Sequence, residues 1–147
     1  MRNKIPPVPI LKGEDILKII PQRAPVVMVD TLYDVSDDSA DTALTIAPDN
    51  IFCRDGVLTE SGIIEHTAQS AALFSGYGYY LKGENPHLGF IGEIKHFDIF
   101  CLPRCGETLN THLTVLASAM GISLVTVIVL SESGEVAKGQ MKIFIKE

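Results

Sequence analysis

Hydrophobic and polar positions along the chain fall into segments of different period. Residues 25–36, PVVMVDTLYDVS, are β-branched and apolar enough for a strand, and residues 40–48, ADTALTIAP, alternate more cleanly and predict a second. Asp37 and Asp38 supply the turn between them, so the pair reads as a hairpin. Upstream, the prolines at 6, 7 and 9 mark an extended arm over residues 1–12, and Gly13 and Pro21 bracket a short helix near residues 14–20. Residues 49–58 read as loop.

The next segment changes character. Residues 60–78, ESGIIEHTAQSAALFSGYG, place Ile63, Ile64, Ala68, Ala71, Ala72, Leu73 and Phe74 on almost every side of a helix, the pattern of a helix wrapped by protein. Thr59 or Ser61 is the expected N-cap, Glu60 sits well near the positive end, and the GYGYY run with Lys82-Gly83 ends the helix. After a polar connection, ENPH, four strand-like segments follow at residues 88–100, 107–120, 122–132 and 135–146, separated by LPRCG, Gly121 and the SESGE turn. Two strands, one long apolar helix and four more strands predict an α+β domain, an antiparallel sheet of about six strands wrapped around the helix.

Length and composition narrow this further. A chain of 147 residues suits a single domain over residues 1–147, and 46% hydrophobic with 20% charged residues is globular rather than disordered. A formal charge of -6, with no clustering of the 12 Lys and Arg, argues against nucleic acid as a partner. No run of about 18 apolar residues is present for a membrane span, and prolines and charges interrupt the N-terminus before a signal sequence forms, so a soluble cytoplasmic protein is expected. Cys53, Cys101 and Cys105 are too few and wrongly spaced for structural zinc, and reduced thiols are the expectation; neither metal nor cofactor is called for.

One residue does not fit the apolar helix. Glu65 loses hydration wherever its charge is buried, so it must find a partner, hold its proton, or face a cavity. Gln69 follows four residues later on the same face, within side-chain reach, to orient the carboxylate or contact a substrate; a buried polar pair satisfied by backbone is the alternative.

Three stretches together resemble the 3-hydroxyacyl-ACP dehydratases of fatty acid synthesis, which have the hotdog fold. The stretch from Ile19 to Val35, IIPQRAPVVMVDTLYDV, is similar to that family's Pro-x-Arg-x-Pro turn running into an apolar strand with an Asp. The stretch IIEHTAQSAA from Ile63 is similar to its helix signature, and GFIGEIKHFDIFCLPRCGETLNTHLTVL from Gly89 is similar to the strand, proline turn and Gly-Glu step that follow. The segment from Asp49 to Gln69, with the later Gly89 to Gly92, resembles most closely the divergent dehydratase-like proteins of aryl polyene biosynthesis.

The resemblance implies a hotdog fold, a homodimer with the site at the subunit interface, and an acyl carrier protein as the partner that brings the acyl chain. It implies Glu65 as the catalytic acid, with Gln69, Ile51, Phe52, Gly56, Phe90 and Gly92 around the substrate. The chain departs from the family where the catalytic histidine of a Gly-His-Phe-Pro-Gly loop is expected: Asn50-Ile51-Phe52-Cys53-Arg54 keeps only the phenylalanine, and Ile51 takes the histidine's place.

Dehydration needs a base for the C2 proton and an acid for the departing hydroxyl. His66 is the candidate substitute base, although adjacent helix positions point about 100° apart; His96 and His112 lie on strands, and His87 sits in the polar connection. A single carboxylate making both proton transfers is the other active option. Three roles remain open on this reading: a dehydratase, a noncatalytic subunit partnering a complete dehydratase in a mixed dimer, and a hotdog acyl thioesterase.

Overall fold

The computed structural model describes residues 8–85 and 89–145; the expected arm at residues 1–7 and His87 lie outside the described residues. A short strand β1 (Leu11–Lys12) and a 3-10 helix (Gly13–Lys18) precede β2 (Thr31–Val35) and β3 (Ser39–Thr45). A small hairpin of β4 (Cys53–Arg54) and β5 (Val57–Leu58) leads into the helix α1 (Glu60–Leu81). Four strands complete the chain: β6 (Gly89–Ile99), β7 (Thr108–Ala119), β8 (Ile122–Ser131) and β9 (Gly134–Ile145).

The main sheet has seven strands in the order β1-β2-β3-β7-β8-β9-β6, with every neighbouring pair antiparallel. It curves around α1, which is the expected hotdog arrangement. Alternation along the strands decides the inner face: Val125, Val127 and Val129 of β8 are buried, whereas Ile122, Ile128 and Leu130 face outward. Two buried clusters hold helix to sheet. One joins Leu73 to Leu113, Val127 and Met141, and the other joins Ile63 to Met28, Leu44 and Leu109.

The helix ends follow local chemistry. Thr59 is the N-cap residue, although its hydroxyl donates to the Phe52 carbonyl oxygen (2.8 Å) rather than capping the helix. Gly83 adopts φ 73° just past the last turn, where the missing Cβ removes the strain of the left-handed region. A bulge interrupts β6 at His96, whose φ is 47°, and shifts the register between Lys95 and Asp98. Gly139 on β9 makes room for it: a Cβ there would lie 2.6 Å from the Phe97 Cα.

Four sequence expectations need correction. The first strand begins at Thr31, not Pro25, because the backbone at Val26 and Met28 bonds to a helix side chain instead of a strand: Met28 N–H donates to Gln69 Oε1 (2.6 Å) and the Val26 carbonyl oxygen accepts from Gln69 Nε2 (2.7 Å). Residues 49–58 are not all loop, since β4 and β5 pair across a turn at Asp55 and Gly56, both with positive φ. Leu11 and Lys12 of the presumed arm pair with Leu32 and Thr31. Cys53 and Cys105 are not free thiols but form a disulfide, leaving Cys101 as the free cysteine. Val57 bridges Arg104, and Cys105 N–H donates to the Gly56 carbonyl oxygen (3.0 Å), so backbone contacts carry Cys105 to the β4–β5 hairpin.

Candidate functional site

Helix α1 presents two unlike faces. Against the sheet, the β4–β5 hairpin and the segment before β2 it buries Gly62, Ile63, His66, Thr67, Gln69, Ser70, Ala71, Leu73 and Gly76; elsewhere on its surface Glu65, Ala68, Ala72 and Ser75 are only partly covered. Those four residues recur at helical spacing and line one wall of a cavity of about 270 Å³. Gly89, Phe90 and Ile91 of β6, Ile143 and Ile145 of β9, and Gln22 form the rest. Small helix residues opposite larger aliphatic and aromatic ones leave the hollow, and its walls are mostly apolar.

Glu65 therefore meets two of the conditions its position demands: it faces a cavity and it has a partner. Its Oε2 accepts a hydrogen bond from Gln69 Nε2 at 2.8 Å. Gln69 is itself held on every side, with Oε1 receiving Met28 N–H and Nε2 also directed at the Val26 carbonyl oxygen. It is fully buried and does not line the cavity. The carboxylate is thus oriented from behind by a side chain that cannot easily turn.

His66 lies on the other face. It is 0% exposed, its Nδ1 contacts the Met28 carbonyl oxygen at 2.7 Å and its Nε2 contacts Thr111 Oγ1 at 2.7 Å. A carbonyl oxygen can only accept, so Nδ1 carries the proton and Nε2 receives the threonine hydroxyl. Burial pushes the imidazole down to about 4, against the opposing influence of the Met28 hydrogen bond and the Asp30 charge. A neutral ring with both nitrogens engaged, and absent from the cavity lining, is a core histidine; the structure does not bring it to Glu65's side.

The remaining candidates divide. Phe90 lines the cavity and stacks on Phe144 with ring centroids 6.2 Å apart. Gly92 lies under the Phe144 ring, which occupies the space a Cβ would need. Phe52 packs in the cluster at the N-terminal end of α1, held close by Gly62, where a Cβ would meet Phe52 Cβ at 2.7 Å. Ile51 is 52% exposed and Gly56 is in the hairpin turn; within this chain neither Ile51, Phe52 nor Gly56 reaches the cavity. His96 marks the β6 bulge, and His112 Nδ1 contacts Asp41 Oδ1 at 2.9 Å.

Sequence reasoning missed Gln22. It sits inside the Pro21-Gln22-Arg23-Ala24-Pro25 turn that carried part of the resemblance, and nothing in a local pattern says that this side chain points inward. Among the described residues no group of three or more His, Cys, Asp or Glu side chains is placed to hold a metal ion, and no helix is long and apolar enough to cross a membrane.

Comparison with known proteins agrees with the fold. No curated protein matches the sequence. Among solved structures, the dehydratase heterocomplex ApeI:P from Xenorhabdus doucetiae superposes with a TM-score of 0.82 at 19% identity, covering 90% of this chain and 91% of that one. Cj0977, a sigma28-regulated virulence protein from Campylobacter jejuni, gives 0.65 at 11% identity over 90% and 95% of the two chains. A hypothetical thioesterase protein with coenzyme A from Streptococcus pneumoniae TIGR4 gives 0.61 at 9% identity over 78% and 84%. At these identities the likenesses establish the fold alone. A family model described as ApeP-like, ApeP dehydratase, matches residues 14–147, and the chain belongs to this ApeP-like dehydratase family.

Proposed function

We propose that this protein acts on 3-hydroxyacyl chains carried as thioesters on an acyl carrier protein, as a (3R)-hydroxyacyl dehydratase-like subunit with Glu65 as the proton-transferring group. The observation that carries this reading is a carboxylate fixed by Gln69 at the wall of an otherwise apolar cavity. Apolar walls suit an acyl chain, and a single oriented carboxyl suits proton transfer at its polar end.

In the elimination, the C2–H electron pair becomes the C2–C3 double bond and the C3–O pair leaves with the hydroxyl oxygen, which takes a proton from the Glu65 carboxyl to depart as water. The C2 proton goes to a base. With Ile51 at the loop position and His66 engaged in the core, two sources remain: the same carboxyl group, which returns the proton it has taken, or a group supplied across a subunit interface. The first needs only Glu65.

The second reading is a mixed dimer with a complete dehydratase that brings the missing histidine. It is favoured by Ile51 and by the likeness to a protein solved as a dehydratase heterocomplex. An eleven-residue edge strand, β6, whose other side has no strand partner among the described residues, offers a backbone for pairing with either a second copy or that dehydratase.

Mass spectrometry of a 3-hydroxyacyl carrier substrate, with loss of water followed for wild type and Glu65→Gln, tests the assignment. Wild-type turnover alone supports the single-carboxylate route, and turnover only after mixing with a complete dehydratase supports the mixed dimer. Equal rates in wild type and Glu65→Gln under both conditions discard Glu65 as the acid. Release of free thiol without loss of water would return the thioesterase reading.

A further inference from the structure

The cavity contains a polar group that the reaction as described does not use. Gln22 Oε1 is buried and has no hydrogen-bond partner, and among the described residues it is the single buried side-chain nitrogen or oxygen in that condition. Gln22 shares the cavity lining with Glu65. A buried carbonyl oxygen deprived of water is costly to leave unmatched, and this one lies beneath the wall of the cavity that its own side chain lines; rotation of the amide about its soft terminal torsion would carry the oxygen to that wall to meet a donor. Its turn is well braced, with the Arg23 guanidinium donating to the Ile20 and Gln22 carbonyl oxygens (2.8 and 2.7 Å) and Val26 N–H donating to the Arg23 carbonyl oxygen (3.0 Å).

The other amide near the site cannot fill this role. Gln69 Oε1 already receives Met28 N–H, and Gln69 Nε2 is shared between Val26 and Glu65. A 3-hydroxyacyl chain has one feature that a bare acyl chain lacks, the hydroxyl, with both lone pairs and a hydrogen. If Glu65 is to protonate the oxygen, the hydroxyl hydrogen must be directed elsewhere, to an acceptor that does not take the proton. An amide oxygen is such an acceptor. Resting on the dehydratase reading above, we propose that Gln22 Oε1 accepts the hydrogen bond of the substrate's 3-hydroxyl, turning an oxygen lone pair toward Glu65. Gln22 gives and takes no proton; it is a binding contact that selects hydroxylated over saturated chains.

Binding, rather than turnover, is the measurement, so that this assignment and the dehydratase reading fail separately. Calorimetric titration of 3-hydroxyhexanoyl-pantetheine and hexanoyl-pantetheine into the Glu65→Gln protein, which prevents consumption of the ligand, is expected to show a preference of about 3- to 10-fold for the hydroxylated ligand. Adding Gln22→Met, similar in length and without the amide, is expected to remove that preference while leaving the affinity for hexanoyl-pantetheine within about twofold. No preference in the Gln22-bearing protein overturns the proposal whatever the fate of the methionine variant, and so does a preference that survives Gln22→Met. A Gln22-dependent preference without turnover by any form would keep this contact and reject the dehydratase reading. Wild-type turnover unchanged by Gln22→Met would do the reverse.

Discussion

Glu65 and His66 are consecutive residues of one helix, and the fold treats them in opposite ways. His66 is enclosed with both nitrogens matched and its proton pushed off, so that it serves as a neutral polar tie between the Met28 carbonyl and Thr111. Glu65 is matched on one oxygen and open to a cavity through the rest of the carboxyl. The same division runs along the helix: Ala71 is buried against the sheet while Ala72 borders the hollow. A side facing the sheet must satisfy every polar group, because water cannot reach it. A side facing a cavity can leave groups unmatched for a ligand to match, and Gln22, which shares that cavity's lining, has such a group.

Substitution at the pair should separate the two roles. Glu65→Gln preserves shape and the contact with Gln69, so thermal stability is expected to stay within about 1 kcal/mol while dehydration falls by roughly 10²- to 10⁴-fold. Full activity in that variant, measured by mass of the product, would break the contrast. His66→Ala should behave the other way. It empties a buried site and orphans both the Met28 carbonyl oxygen and Thr111 Oγ1, for an expected loss of about 3–5 kcal/mol in chemical denaturation. A stable but inactive His66→Ala protein would instead place the imidazole in the chemistry.

Acid sharpens the same comparison. The His66 pKa is about 4 in the fold against 6.5 for the unperturbed group, so the unfolded chain takes up this proton first as pH falls. Its contribution to stability is fully present above about pH 6.5, is lost progressively toward about pH 4, and levels off below that, a change of about 3 kcal/mol in all. Denaturant midpoints measured across this range for wild type and His66→Gln should differ in slope, with the variant flatter; parallel curves would remove His66 as the source.

The smallest expected effect comes from the two alanines. Ala71→Leu forces extra volume into packed surroundings and should cost about 1–3 kcal/mol. Ala72→Leu has the cavity to expand into, so stability should change little while binding of an acyl thioester weakens. Equal destabilisation of both would mean that the hollow closes.

Much of this was legible in the chain itself. Helix α1 announces itself through its apolar run, Thr59 and Gly83, and β7, β8 and β9 through alternation broken by glycine turns, because these are local patterns with local causes. Glu65 stood out for the same reason. The stretch from Pro25 to Asp30 misled because its composition suits a strand while the Val26 carbonyl and both backbone groups of Met28 bond to the side chains of Gln69 and His66, some forty residues away. The sense in which neighbouring helix positions diverge was readable, but which of the two diverging sides meets the sheet depends on the tertiary packing. Gln22 gave no sign at all, since an orphaned acceptor exists only relative to its surroundings.

The bond between Cys53 and Cys105, 52 positions apart, encloses α1 and β6 within a covalent ring. A peptide bond cut at any point inside that ring would leave one molecule of unchanged mass apart from a single added water, and the two pieces would separate on a denaturing gel only after reduction.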